Sequence, residues 1–99
     1  MTERCSTVEI ILEAPLSSLA GSGTISLPIS GTSSLLDVLQ QLSEAAPAEL
    51  KPRILRVDGS PVAGLLFFLN NRPVAAGNAG QTTVQAGDVL LLCPPISGG

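Results

Sequence analysis

The chain of 99 residues contains no histidine, tryptophan or tyrosine, and only 13% of its side chains are charged. Without histidine there is no imidazole base, no Ser-His or Cys-His nucleophile pair and no His-ligated metal. Two cysteines, Cys5 and Cys93, are too few for a four-ligand zinc site and stand near opposite ends of the chain. The first residues, MTERCSTVEI, carry acid and no apolar core, so no secretory signal and no disulfide framework are expected. Five Lys and Arg face eight Asp and Glu, giving a net charge of −3. That balance leaves no basic patch for phosphates, and nucleic acid is not an expected partner. No apolar run approaches the ~18 residues that span a bilayer, so no membrane partner is expected and a cytoplasmic location is. The side chains offer little for catalysis, no bound cofactor is expected, and no metal site is foreseen.

What the chain does have is apolar surface: 44% of its residues are hydrophobic and its mean hydropathy is +0.44. The length suits one small domain, since two would each be too short to bury a core. Residues 1–7 are expected to be disordered, 8–93 to form the domain, and 94–99 to be a flexible tail. In VEIILE (8–13), Val8, Ile10 and Leu12 alternate onto one face and predict a strand. Thr24–Leu27 resumes the alternation after a polar stretch with Gly21 and Gly23, predicting a hairpin. Leu35, Val38, Leu39, Leu42 and Ala46 recur at helical spacing in LLDVLQQLSEAA. Ser33 or Ser34 can cap that helix, and Pro47 ends it at or before Ala46.

Residues 48–64 read less regularly. A short helical turn is expected at Ala48–Lys51, then an apolar piece at Ile54–Val57 and a turn at Asp58-Gly59. The run LLFFL (65–69) predicts a strand buried heavily on both faces. Asn70-Asn71 predicts a tight turn, because asparagine tolerates positive φ. Gln85–Asp88 predicts another turn, with Asp88 bonding its own backbone, before a last strand, VLLLC, at 89–93. Strand, strand, helix and returning strands make an α+β domain of β-grasp order, with a mixed sheet and one main helix on one face.

Beyond that strand the sequence reads Pro94-Pro95-Ile96-Ser97-Gly98-Gly99. Proline has no N–H to extend a sheet and prefers extended geometry, so Pro94 and Pro95 stiffen the exit. Six residues at ~3.3 Å each reach about 20 Å. Gly98 and Gly99 lack Cβ atoms, which lets the tip enter a channel too narrow for a side chain. A free α-carboxyl, with a pKa of about 3.5, is anionic at neutral pH and a poor electrophile. It becomes reactive once another protein activates it, for example as an acyl-adenylate.

AGDVLLLCPPISGG resembles the ending of the ubiquitin-like sulfur carriers of the ThiS/MoaD type, and its Pro-Pro-x-Ser-Gly-Gly form most resembles the small subunit of molybdopterin synthase. FFLNNRPV (67–74) is similar to the family's strand and Asn turn, and the helix from Leu35 lies where the family has one. The resemblance implies that a ubiquitin-activating-enzyme-like adenylyltransferase, using ATP and Mg²⁺, adenylates Gly99. A sulfurtransferase then supplies sulfur, giving a Gly99 thiocarboxylate. It further implies that the tail enters the large subunit of molybdopterin synthase and delivers sulfur to a pyranopterin precursor of the molybdenum or tungsten cofactor. On that basis Gly99 and Gly98 carry the chemistry, Pro94, Pro95, Ile96 and Ser97 position it, and the catalytic side chains belong to the partner. Related carriers serve cysteine or thiamine synthesis, tRNA thiolation or protein modification, and those destinations stay open. A ubiquitin-like modifier ending in an isopeptide bond is the alternative.

Alternation also predicts where a partner docks. If Leu90, Leu92, Leu65, Phe67 and Leu69 point inward, then Val89, Leu91, Cys93, Leu66 and Phe68 point outward. That outer patch is covered either by the partner that receives the tail or by residues 48–64 folding over it. Cys93 reads as small structural filler, because nothing cationic stands nearby to lower its pKa.

Overall fold

The computed structural model describes residues 7–29 and 31–94. Cys5, Pro95, Ile96, Ser97, Gly98 and Gly99 lie outside the described residues. Strand β1 runs Thr7–Leu12, starting one residue ahead of the expected boundary, and β2 runs Thr24–Pro28 antiparallel to it. Val8, Ile10 and Leu12 are all buried, as their alternation predicted. The connection between them differs from the expected polar stretch. It contains a five-residue helix, α1 (Leu16–Ala20), whose Leu16 is buried and which Gly21 closes in the left-handed region at φ 78°. Five residues are too few to display a helical period, so the pattern could not announce it.

Helix α2 (Leu35–Ala45) supplies the other wall of the core through Leu35, Val38, Leu39 and Leu42. Ser34 caps it: its Oγ accepts from the Asp37 N–H at 3.0 Å. The cap residues have a second task. Thr32–Ser34 form β3, which pairs antiparallel with β6 (Thr83–Gln85) in a small separate sheet. The Leu35 N–H donates to the Thr82 carbonyl at 2.8 Å, tying the start of the helix to the same segment. Neither strand was visible in the sequence, because three residues are too short for alternation to register.

After Pro47 the turn expected at Ala48–Lys51 is present, with the Leu50 N–H donating to the Pro47 carbonyl at 2.9 Å, and helix α3 continues from it over Lys51–Ile54. Pro52 sits in its first turn, where the missing N–H would have had no partner. Leu50, Ile54 and Leu55 join the core, and Leu55 bridges to Pro61 around the turn at Asp58-Gly59. Within that turn Asp58 accepts from the N–H and Oγ of Ser60, and these bonds hold its carboxyl below the usual range.

Strand β4 (Leu66–Leu69) and β5 (Arg72–Val74) form a second hairpin. Asn70 and Asn71 make its two-residue turn with φ of 52° and 72°, the positive pair that a tight hairpin needs. The last described strand, β7 (Val89–Cys93), lies parallel to β1 and antiparallel to β4. The main sheet therefore runs β2-β1-β7-β4-β5, with β7 at its centre. Prolines sit on both edge strands, Pro28 in β2 and Pro73 in β5, where they blunt pairing with other chains. Among the described residues, no helix is long and apolar enough to cross a membrane.

Candidate functional site

The two faces of β7 have separate fates. Leu90 and Leu92 are fully buried against the helix side, while Val89, Leu91 and Cys93 are only half-buried on the other. Strand β4 repeats the division: Phe67 is 1% exposed and its neighbour Leu66 is 49% exposed. The expected burial of 65–69 on both faces is thus corrected to one face. A strand in an antiparallel pair at the sheet's open side has no second layer to bury against. Residues 48–64 do not cover the outer face either. Their apolar members Leu50, Ile54 and Leu55 are spent on the core, with α3 packed against α2.

Register brings the expected patch together. Phe68 pairs with Leu91, Leu66 pairs with Cys93, and on the other side Leu91 pairs with Ile11. Ile11, Leu91 and Phe68 therefore form one apolar row across three strands. Ile11 is 37% exposed, and the alternation of β1 had placed it outward without joining it to the patch. Only the parallel pairing of β1 with β7 makes it a neighbour. Phe68, Val89, Leu91 and Ile11, with Asn70 and Asn71, line a shallow depression of about 310 Å³. Leu66 and Cys93 lie beyond it on the same face, at the end where the chain leaves for Pro94. Glu9 pairs with Val89 on β1 and is exposed, so the rim is acidic where it is charged.

One end of this face is anchored by polar bonds. Asn70 Oδ1 accepts from the Val89 N–H at 2.9 Å, and Asn70 Nδ2 donates to Asp88 Oδ1 at 3.1 Å. Asp88 Oδ2 accepts in turn from the Gln85 N–H at 2.9 Å, the backbone bond expected of it. Gly87 takes φ 92° within this turn, a conformation that suits glycine. The Asn70 link between two turns was not legible in the sequence, since 18 residues separate its ends.

The other end is where the tail departs. Pro94 is half-buried directly after β7. Cys93 is a free thiol; burial pushes its pKa up, and the charge of Glu13 adds to the shift. A raised thiol pKa makes a poor nucleophile at neutral pH, in keeping with a packing role. Among the described residues, no group of His, Cys, Asp and Glu could hold a metal ion. The geometry thus offers a half-apolar platform with Pro94 following directly on its central strand.

A helix laid across a five-stranded mixed sheet whose central strand is the last defines a ubiquitin-like β-grasp protein. The model of the ThiS family matches residues 10–99, and the chain belongs to that family of small sulfur carriers and modifiers. It is 36% identical over 88 residues to small archaeal modifier protein 1 of Haloferax volcanii, covering 89% of this chain and 95% of that one. The crystal structure of that relative superposes with a TM-score of 0.81 at 34% identity, covering 94% of this chain and 99% of the other. A protein of Pyrococcus furiosus named as a candidate molybdopterin converting factor, subunit 1, matches at a TM-score of 0.70 and 18% identity. It covers 91% of this chain and 98% of that one, and it shares the fold.

Proposed function

We propose that this chain is a non-catalytic carrier whose reactive group is the main-chain carboxyl of Gly99, converted to a thiocarboxylate and used as a sulfur donor in molybdopterin synthesis. The observation that carries the reading is the course of the chain: its central strand, β7, leads without interruption into Pro94-Pro95-Ile96-Ser97-Gly98-Gly99. A central strand is held by ladders on both sides, so the root of the tail is fixed while its tip is thin enough for a narrow channel.

An adenylyltransferase using ATP and Mg²⁺ joins the Gly99 carboxylate to AMP and releases pyrophosphate. A sulfurtransferase then replaces AMP with sulfur. The outer face of Phe68, Leu91, Val89 and Ile11, with Leu66 and Cys93 beside the tail root, docks first on the activating enzyme and then on the large subunit of molybdopterin synthase. An apolar platform with an acidic rim suits a partner surface that is apolar at its centre and basic around it. The catalytic side chains belong to those partners.

The name of the Haloferax relative favours a second reading, in which the activated Gly99 ends as an isopeptide bond on a lysine of another protein. Both readings share the activation step and differ in the acceptor. Intact mass of the full chain purified from its host separates them. Sulfur in place of the terminal oxygen adds about 16 Da, a difference of atomic masses that must be told from oxidation by its loss on hydrolysis, whereas conjugates appear at much higher mass. Deletion of Gly99 abolishes both products. A chain lacking Gly99 that still supports cofactor formation overturns the activated-terminus reading.

A further inference from the structure

The turn that follows α3 presents an apolar side chain that neither the core nor the sheet face uses. Val57 is 107% exposed, as bare as a valine in an extended peptide. It stands at the tip of a tight turn: the Gly59 N–H donates to the Arg56 carbonyl at 2.9 Å, and the Arg56 N–H donates to the Ser60 carbonyl at 2.7 Å. This apolar knob is therefore held in place before anything binds it. Its surroundings are cationic. Lys51, Arg53 and Arg56 outnumber Glu49 and Asp58 in this segment, and Asp58 spends its carboxylate on the N–H and hydroxyl of Ser60. Elsewhere among the described residues Arg72 is the one cation, against Glu9, Glu13, Asp37, Glu44 and Asp88.

The outer face of the sheet carries the complementary features. Its depression of about 310 Å³ is floored by Ile11, Phe68, Val89 and Leu91, and Asn70 at its edge is fixed by its bonds to Val89 and Asp88. Exposed Glu9 pairs with Val89 at the margin, and exposed Glu13 follows two residues past Ile11. A single chain does not bring these halves together. Helix α3 packs against α2, on the side of the sheet that buries Leu90 and Leu92, and Val57 stays bare while the depression stays open.

We propose that the Val57 turn of one copy seats in the outer-face depression of a second copy, with Arg56 opposite Glu9. An apolar knob meets an apolar hollow, and a cationic surround meets an acidic rim. In a chain of net charge −3, that pairing is the one that relieves repulsion between copies instead of adding to it. The contact joins two different patches, so every copy keeps a free knob or a free hollow, and association is open-ended. The patch is small, so association is weak and depends on concentration. The contact needs no activation of Gly99. On the reading that the outer face docks the carrier's partners, a copy occupied in this way is withheld from them until they displace its neighbour.

Sedimentation equilibrium of the full chain at low ionic strength, over concentrations up to on the order of 1 mM, tests this. Urea unfolding of each variant checks its fold. The weight-average mass should rise above 10.1 kDa with concentration and continue past twice that value. Val57→Asp, Arg56→Glu and Glu9→Arg, all at exposed positions, should each lower the association constant about tenfold. An equimolar mixture of Arg56→Glu and Glu9→Arg should restore it, because each copy supplies the charge that the other needs. A chain that stays at 10.1 kDa throughout overturns the proposal. So does a pair that stops at two copies and is indifferent to Arg56→Glu, which is the behaviour of two outer faces meeting each other. A mixture that associates no better than its parts overturns it as well. All three results leave the docking and tail readings standing, since none of them measures a partner or Gly99.

Discussion

The inner and outer faces of the same two strands, β4 and β7, make an instructive comparison. Leu90, Leu92 and Phe67 have at most 1% of their surface exposed, while the residues between them, Leu66, Phe68, Val89 and Leu91, are as apolar and only partly covered. Composition does not distinguish the two sets. What differs is the presence of α2 on one side and, among the described residues, of no second layer on the other. The inner face is burial completed by folding; the outer face is burial still available to an association. A sheet whose open side carries aliphatic and aromatic side chains keeps a hydrophobic driving force in reserve at about 25 cal/mol per Å².

The sharpest way to break the comparison is to truncate one leucine on each face. Leu90→Ala should cost about 2–5 kcal/mol, because it opens a cavity in a fully buried site. Leu66→Ala, at a position 49% exposed, should cost under about 1 kcal/mol. Urea unfolding midpoints measure both, and equal losses would mean the outer face is part of the core.

A charge placed on the outer row tests its use. Phe68→Asp should leave the unfolding midpoint within about 1 kcal/mol of wild type. It should weaken binding to the activating enzyme or the large subunit by about 30-fold, roughly 2 kcal/mol, as loss of an anchoring aromatic does. Titration calorimetry reads the affinity. Unchanged binding by a folded variant removes the docking role from this face.

Asn70 fixes the end of the face remote from the tail. Asn70→Ala loses the bonds to the Val89 N–H and Asp88 and should cost about 1–2 kcal/mol in the same unfolding measurement. Asn70→Gly relieves the positive φ but not the missing bonds, so it should recover only part of the loss.

The smallest effect concerns Cys93. Burial and Glu13 raise its thiol pKa, so alkylation by iodoacetamide should reach its half-maximal rate at higher pH than in the unfolded chain. Glu13→Gln removes the lesser of the two causes. The rate profile should then move to lower pH, by less than the shift that remains from burial.

The long elements were legible because each carries several turns or alternations of its own period. Val8, Ile10 and Leu12 declared β1, the stripe from Leu35 to Leu42 declared α2, and Asn70-Asn71 declared the hairpin turn. The elements that escaped, α1, β3 and β6, are three to five residues long and exist because neighbours satisfy their backbone. The turn expected at Ala48–Lys51 is present, but its continuation as α3 was not legible, since four residues display no helical period. The site was half legible. Alternation put Leu66, Phe68, Val89, Leu91 and Cys93 on one face, but Ile11 joined them only through a parallel pairing of strands some 80 positions apart.

By itself the sequence determined the period of each long segment, hence which side chains share a face. Those properties depend on neighbours within a few residues, and local sterics fix them. Tertiary structure alone decided that β7 lies between β1 and β4, that residues 48–64 serve the core instead of shielding the sheet, and that one apolar face is left open. Those outcomes depend on which of several apolar surfaces meets α2. That competition is settled by packing the whole chain at once, and no local pattern records its result.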